Sequence, residues 1–279
     1  MLHPRVLPDP QASSLVAAIQ LCSAADWPTN QQQVAQALAE AAAAGAQLVV
    51  LPEYFVLMHP DEQQRFALAE EDGQGPIQDF LSAQAAQHGV WLVAGSLPLR
   101  TPFADKLTNS CLVYGPEGER VGRYDKVHLF GFQRGDERYD EAATQLAGDQ
   151  PLIFDTPLGR IGVGICYDLR FPEFFRHLDA VDLWVLPAAF TVTTGRAHWE
   201  VLLRARAIEN QCYFLAAAQT GTHEGGRQTY GHSMMVDPWG EILAQLDDQP
   251  GILLAKLEAE RLSEVRAQLP ALLHRRLGI

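Results

Sequence analysis

Three short stretches hold residues whose types and settings could do chemistry together. In RIGVGICYDLRFPE, residues 160–173, an apolar, strand-like run from Ile161 to Ile165 delivers a thiol, Cys166, to its end. The chain then turns polar through Tyr167, Asp168 and Arg170 and reaches Pro172. A thiol at the carboxyl end of a buried strand, where a helix is about to start, sits where α/β proteins place their chemistry. Helix amides and nearby cations would lower its pKa, and the thiolate is the reactive form. In LVVLPEYF, residues 48–55, Pro52 stops an apolar run and presents Glu53 at its mouth. The apolar collar of Tyr54 and Phe55 would raise that carboxylate's pKa, as suits a general base. In GRYDKVHLF, residues 122–130, Lys126 is flanked by Tyr124, Val127, Leu129 and Phe130. A surface lysine needs no such company, although lysine stems do lie on apolar surfaces.

Each residue also has an ordinary reading. A free cysteine is usually core filler, and Cys22, Cys111 and Cys212, in or beside apolar runs, are read that way. A glutamate after a strand is usually solvated. Taken together, however, the three make a workable set: a base takes the thiol proton, the thiolate attacks, and a cation steadies the oxyanion.

LPEYF, YDKVHLF and GICYDLRFPE, in this order, resemble the nitrilase, or carbon–nitrogen hydrolase, superfamily, and the resemblance runs from about Ser14 to about Leu277. Two further stretches, residues 193–221 and 230–243, resemble its small-amide branch, which holds deaminated-glutathione amidases and ω-amidases; AAAQTG and YGHSMMVDPWG are closer to the former. The resemblance implies Glu53 as general base, Lys126 as oxyanion cation and Cys166 as nucleophile, with the backbone N–H of Tyr167 as second oxyanion donor. It also implies a supporting glutamate in a Tyr-x-Glu-Ser phrase. Tyr139-Asp140-Glu141-Ala142 matches all but the serine, which makes Glu141 the residue that keeps Lys126 charged and helps place the amide. A second departure is Gly131, where many relatives have aspartate. The polar stretch 131–139 is read as a loop over the site.

The implied reaction is hydrolysis of a small α-keto acid amide through a thioester, with no metal and no cofactor. The small-molecule amide would be deaminated glutathione or α-ketoglutaramate, and a cation should meet its carboxylate. Arg170, four residues past the thiol, has a planar fork suited to that task, with an ion pair to Glu173 or Asp168 as its alternative. Thr194 and Arg196 begin a polar-to-helix transition whose amides could bind an anion, though a helix N-cap is the commoner use. Arg204 and Arg206 fall in an amphipathic helix and are read as ion-paired scaffold. A metal-dependent hydrolase would need a phrase such as His-Glu-x-x-His, and a serine hydrolase Gly-x-Ser-x-Gly; neither occurs. His128, His198 and His232 fall near the site face and are read as hydrogen-bonded structure. A binding scaffold with a closed pocket, and true nitrile hydrolysis, are the competing readings.

The elements that must position these residues alternate along the chain. Strands are expected at 15–21, 47–51, 90–97, 183–186, 213–218, 233–236, 242–245 and 252–257, with a hairpin from 107–114 to 120–124. Helices are expected at 31–44, 77–88, 171–178, 197–210 and 262–269. This alternation gives an α/β class. The resemblance implies more: a four-layer α-β-β-α sandwich of two mixed sheets, paired as a homodimer or higher homo-oligomer. With 279 residues and 47% apolar content the chain can bury a large core, and residues 14–279 are read as a single domain after a flexible, proline-containing leader, 1–13. A net charge of −13 argues against nucleic acid or a basic membrane-binding surface as partner. Four unclustered cysteines suit a reducing cytoplasm, and no apolar run approaches membrane-spanning length.

Overall fold

Side-chain parity along the strands decides the architecture. In a strand, successive side chains point to opposite faces. Val16, Ala18, Leu48 and Val50 join one apolar core together with Ile161, Val163, Val185 and Leu215 of a second sheet. Their neighbours Ala17, Ile19, Val49 and Leu51 join another, with Val34, Leu38, Ile77 and Leu81 from two helices. Both faces of the sheet are therefore buried, which is why these strands read as unbroken apolar runs rather than alternating ones. The computed structural model describes residues 13–135, 137–176 and 181–277. The expected leader therefore lies outside the described residues except for Ser13, which already opens a strand.

The first sheet has the order Gly251–Glu258, Ser13–Gln20, Leu48–Val50, Trp91–Val93, Leu107–Tyr114, Leu97–Arg100, with Arg120–Asp125 also paired to Leu107–Tyr114. Ser13–Gln20, Leu48–Val50 and Trp91–Val93 run parallel, their crossovers being the helices Trp27–Ala43 and Pro76–His88. The second sheet has the order Ile242–Gln245, Met234–Val236, Tyr213–Ala218, Leu183–Ala188, Gly159–Val163, Leu152–Thr156. Its central strands Gly159–Val163, Leu183–Ala188 and Tyr213–Ala218 are also parallel. The helix Val192–Asn210 lays Trp199, Leu203 and Ala207 against that sheet's core. The result is a four-layer α-β-β-α sandwich.

Several expected boundaries move for local reasons. The first helix starts at Trp27, because Asp26 caps it by accepting from the Thr29 amide. The helix expected at 197–210 begins at Val192, capped by Thr191, whose side chain accepts from the Thr194 amide. The expected helix 171–178 is the five-residue Pro172–Arg176, and 177–178 lie outside the described residues. The expected strand 90–97 is two strands, Trp91–Val93 and Leu97–Arg100, broken at Gly95. Gly95 has φ 52°, and a Cβ there would fall 2.2 Å from the Pro52 carbonyl oxygen. The break lets this chain pass against the Pro52–Glu53 turn, and Ser96 Oγ accepts from the Tyr54 amide at 3.0 Å. The polar stretch 131–139 is not a loop but a two-stranded ribbon, Gly131–Arg134 paired with Glu137–Asp140. Among the described residues no helix is long and apolar enough to cross a membrane.

Candidate active site

Glu53 follows the carboxyl end of a parallel strand in one sheet, and Cys166 follows that of a parallel strand in the other. The chain enters the Cys166 turn in an unusual backbone state. Cys166 has φ 46° and opens a short 3-10 helix, Cys166–Arg170. Tyr54, beside Glu53, has φ 56°. Left-handed conformations in non-glycine residues cost energy and persist only where the surroundings hold them.

The surroundings at Cys166 are supplied by Asp168, which is fully buried. Its Oδ2 accepts from Tyr124 Oη at 2.6 Å and from the Ile165 amide at 2.8 Å. Its Oδ1 accepts from the His128 amide at 3.1 Å and from His128 Nδ1 at 2.7 Å. One carboxylate thus ties the thiol turn to the segment that carries Lys126. Arg206 adds a second tie, donating through Nε to the Leu169 carbonyl at 2.9 Å.

Lys126 is fully buried between two carboxylates. Its Nζ lies 2.8 Å from Glu53 Oε1, and 3.0 and 2.8 Å from the two oxygens of Glu141. Glu53 Oε1 also accepts from Asn109 Nδ2 at 2.9 Å. Glu141 accepts from Tyr54 Oη at 2.6 Å and from the Phe130 amide at 2.7 Å. Burial pushes Lys126 toward the neutral amine, but Glu141 and Glu53 more than offset it and hold the ammonium well above its ordinary value. Burial likewise pushes Glu141 up, but Lys126, with the Phe130 amide and the Tyr54 hydroxyl, more than offsets it, so Glu141 lies below the usual carboxylate range. Gln219, from the AAAQTG phrase, donates to the Glu53 carbonyl at 3.0 Å and to Ser23 Oγ at 2.7 Å, fixing the Glu53 backbone across the two sheets.

The thiol departs from expectation. Burial first, then the negative charge of Glu53, push Cys166 well above its ordinary value, outweighing Lys126. Cys166 therefore rests as a neutral thiol. A group of this kind becomes a nucleophile only when a base takes its proton as it attacks.

A cleft of about 270 Å³ brings Cys166 together with Glu53, Glu141, Tyr167, Arg170 and Thr194. All seven residues singled out from the sequence are thus within one neighbourhood, Lys126 behind the carboxylates. Arg170 makes neither of its alternative ion pairs: Asp168 is engaged with Tyr124 and His128, and the Arg170 guanidinium lies 3.2 Å from His198 Nδ1 and over the ring of Phe190 at 5.2 Å. Burial pushes it below its ordinary value, and among the described residues it has no carboxylate within ion-pair distance. Thr194 is not the helix cap. It sits in the first turn, its hydroxyl 3.0 Å from that of the cap, Thr191. Arg204 and Arg206 are paired with Glu200 and Glu209. His232 is bonded through Nδ1 to the Tyr230 carbonyl at 2.7 Å. Cys111 and Cys212 are buried as expected, whereas Cys22 is only half-buried, its Sγ facing His223 at 3.9 Å. Among the described residues no three His, Cys, Asp or Glu side chains converge to hold a metal ion.

Asn109, Tyr54 and Arg227 escaped the sequence in this neighbourhood. Tyr54 was legible as an apolar neighbour of Glu53 but not as a hydroxyl on Glu141. Arg227, in GGRQTY, also lines the cleft; nothing in its local pattern separates it from any turn arginine.

Residues 15–267 match the family model described as carbon–nitrogen hydrolase. The chain is 43% identical over 266 residues to a deaminated glutathione amidase of Yersinia enterocolitica, covering 94% of this chain and 92% of that one. It is 38% identical over 250 residues to an omega-amidase of Xenopus laevis, covering 88% and 89%. Among solved structures it is similar to the Caenorhabditis elegans NitFhit protein, with TM-score 0.87 and 36% identity over 95% of this chain. It spans 66% of that protein, just under two thirds.

Proposed function

The chain belongs to the carbon–nitrogen hydrolase family, and on that premise we propose that it is an amidase acting on a small α-keto acid amide, deaminated glutathione before others. The observation that carries this reading is the buried Glu53–Lys126–Glu141 chain facing the Cys166 thiol across one cleft. Cys166 attacks the amide carbonyl as Glu53 accepts the thiol proton. Lys126 and the Tyr167 amide stabilise the oxyanion, an interaction of a kind whose loss costs about 10²–10³ in rate. Glu53 returns the proton to the departing amine, leaving a thioester on Cys166. Water, activated by the same carboxylate, then releases the acid. Glu141 keeps Lys126 cationic throughout, and Arg170 and Thr194 receive the oxo-acid end of the acyl group, where a guanidinium without a carboxylate partner suits a carboxylate. The reaction as written needs no metal or cofactor.

The similarity to an omega-amidase supports a second reading, α-ketoglutaramate as substrate, with the same chemistry and ammonia as leaving group. We take residues 14–279 as one domain working in the cytoplasm as a homodimer. Val201 and Ile208, two turns apart on one helix face, and Trp239 are exposed large apolar side chains, as a pairing surface requires. Rates of amide hydrolysis on deaminated glutathione and α-ketoglutaramate, measured side by side with Cys166→Ala as control, test the reading. Higher kcat/KM on deaminated glutathione, lost in the variant, supports it. Preference for α-ketoglutaramate selects the second reading, and turnover of neither overturns both in favour of a scaffold.

A further inference from the structure

Deaminated glutathione carries a carboxylate at each end: one on the oxo-acid acyl group, the other on the cysteinylglycine that leaves. A site that prefers it over α-ketoglutaramate, whose leaving group is ammonia, needs a second cation on the leaving-group side. We propose that Arg227 is that cation, a specificity residue that binds the terminal carboxylate of the leaving dipeptide. The inference rests on the amidase reading above.

Four observations place it. Arg227 lines the cleft that holds Cys166 and also a larger adjoining cavity of about 650 Å³, so it stands where the two meet. Its Nε is buried without a hydrogen-bond partner, an expensive state that an incoming anion would relieve. Among the described residues it makes no ion pair. It lies over two ring faces, Tyr139 at 5.2 Å and Tyr54 at 5.7 Å, which hold a guanidinium without consuming its donors. The other arginines of the adjoining cavity are less suited: Arg65, whose Nε is also unpartnered, is already paired with Glu62 at 3.1 Å, and Arg138 is exposed.

The side of the site follows from the chemistry. The nitrogen that leaves must face Glu53, which returns its proton. Tyr54 bonds Glu141, which shares Lys126 with Glu53, so Arg227, lying over the Tyr54 ring, stands beside the Glu53–Lys126–Glu141 chain. Arg170 belongs to the Cys166 turn and packs on Phe190, and so attends the acyl group. From the scissile nitrogen to the terminal carboxylate the dipeptide spans about 7 Å when extended, the reach needed to pass from the first cleft into the second.

The experiment is a selectivity ratio, kcat/KM on deaminated glutathione over kcat/KM on α-ketoglutaramate, in wild type, Arg227→Met and Arg227→Lys. The methionine variant is expected to lower the ratio at least tenfold, through KM for deaminated glutathione. Lysine, which keeps charge but not the fork, should recover part of it. A ratio that stays within twofold, or an equal loss on both substrates, overturns the proposal. A measurement on the wild type alone guards against misfolded variants: free cysteinylglycine should inhibit competitively, and its C-terminal amide at least tenfold more weakly. Equal inhibition by the two also overturns it. Wild-type turnover of deaminated glutathione itself decides the amidase reading separately; an enzyme that cleaves only α-ketoglutaramate keeps the amidase and loses the role of Arg227.

Discussion

Replacing Asp168 by asparagine should damage both stability and turnover, although Asp168 never touches substrate in the proposed reaction. Its two oxygens accept four hydrogen bonds, from Tyr124 Oη, the Ile165 amide, the His128 amide and His128 Nδ1. An asparagine accepts only through its single carbonyl oxygen, which serves two donors. Two donors then face an NH2 group. A buried donor left unsatisfied costs about 1–3 kcal/mol. The His128 side chain is 24% exposed and can turn to water, so the lower part of the doubled range applies, about 2–4 kcal/mol. For a chain of this size that corresponds to a Tm lower by about 4–16 °C. The same change releases the left-handed Cys166 turn, and a displacement of about 1 Å at a reacting group costs roughly a hundredfold in rate. Calorimetric or fluorescence melting gives the first quantity, and kcat at a temperature where Asp168→Asn is fully folded gives the second. A variant that melts within a degree of wild type and turns over at the same rate would refute the claim that this carboxylate holds the thiol turn in place.

Two further outcomes follow from the charges. Glu53→Gln should lose about 10²–10⁴ in hydrolysis, the usual worth of a general base, yet its thiol should become easier to alkylate. Glu53 is one of the causes that push Cys166 upward, so the midpoint of iodoacetamide reaction against pH should move down; an unmoved or higher midpoint contradicts the assigned charge on Glu53. Glu141 lies below the carboxylate range in the folded protein, against about 4.3 when unfolded. Its contribution to stability is therefore complete above the unfolded value and is lost as pH falls through the folded one. Glu141→Gln should be less stable than wild type at pH 7, and urea midpoints of the two should converge below about pH 4.3. Parallel curves across that window would rule out the ion pair as the cause.

The three residues that proved legible from sequence share one property. Glu53, Lys126 and Cys166 each stand out as a polar side chain among apolar neighbours: Glu53 and Cys166 follow apolar strands, and Lys126 sits among Tyr124, Val127, Leu129 and Phe130. Glu141 was reached through a resemblance alone, since a polar stretch gives no local sign that one glutamate turns inward. The ribbon 131–140 was missed for the same reason. Its strands are mostly exposed and polar, so no alternation marks them, and what joins it to the site is aromatic packing of Phe130 on Phe132, Tyr139 and Tyr167. The expected acidity of the thiol does not hold: helix amides and cations favour the thiolate, but a nearly enclosed sulfur beside a carboxylate loses more than they supply. Asp168 was visible as a possible partner of Arg170. Its true partners come from another segment of the chain, and that pairing is set by the docking of two sheets, not by spacing.

The pairing of Ser13–Gln20 with Gly251–Glu258 bears on how the protein is made. The strand Ser13–Gln20 finds its outer neighbour only after the whole intervening chain has been made, since Ile19 lies opposite Ile252. At roughly 5–20 residues per second the delay is on the order of ten to fifty seconds. Throughout it, one margin of the first sheet is an open template of amides and carbonyls, the state most prone to pairing with another nascent chain. A message truncated before codon 251 would leave that margin open permanently. Gly251–Glu258 is thus the strand that seals this margin of the nascent molecule against its neighbours on the polysome.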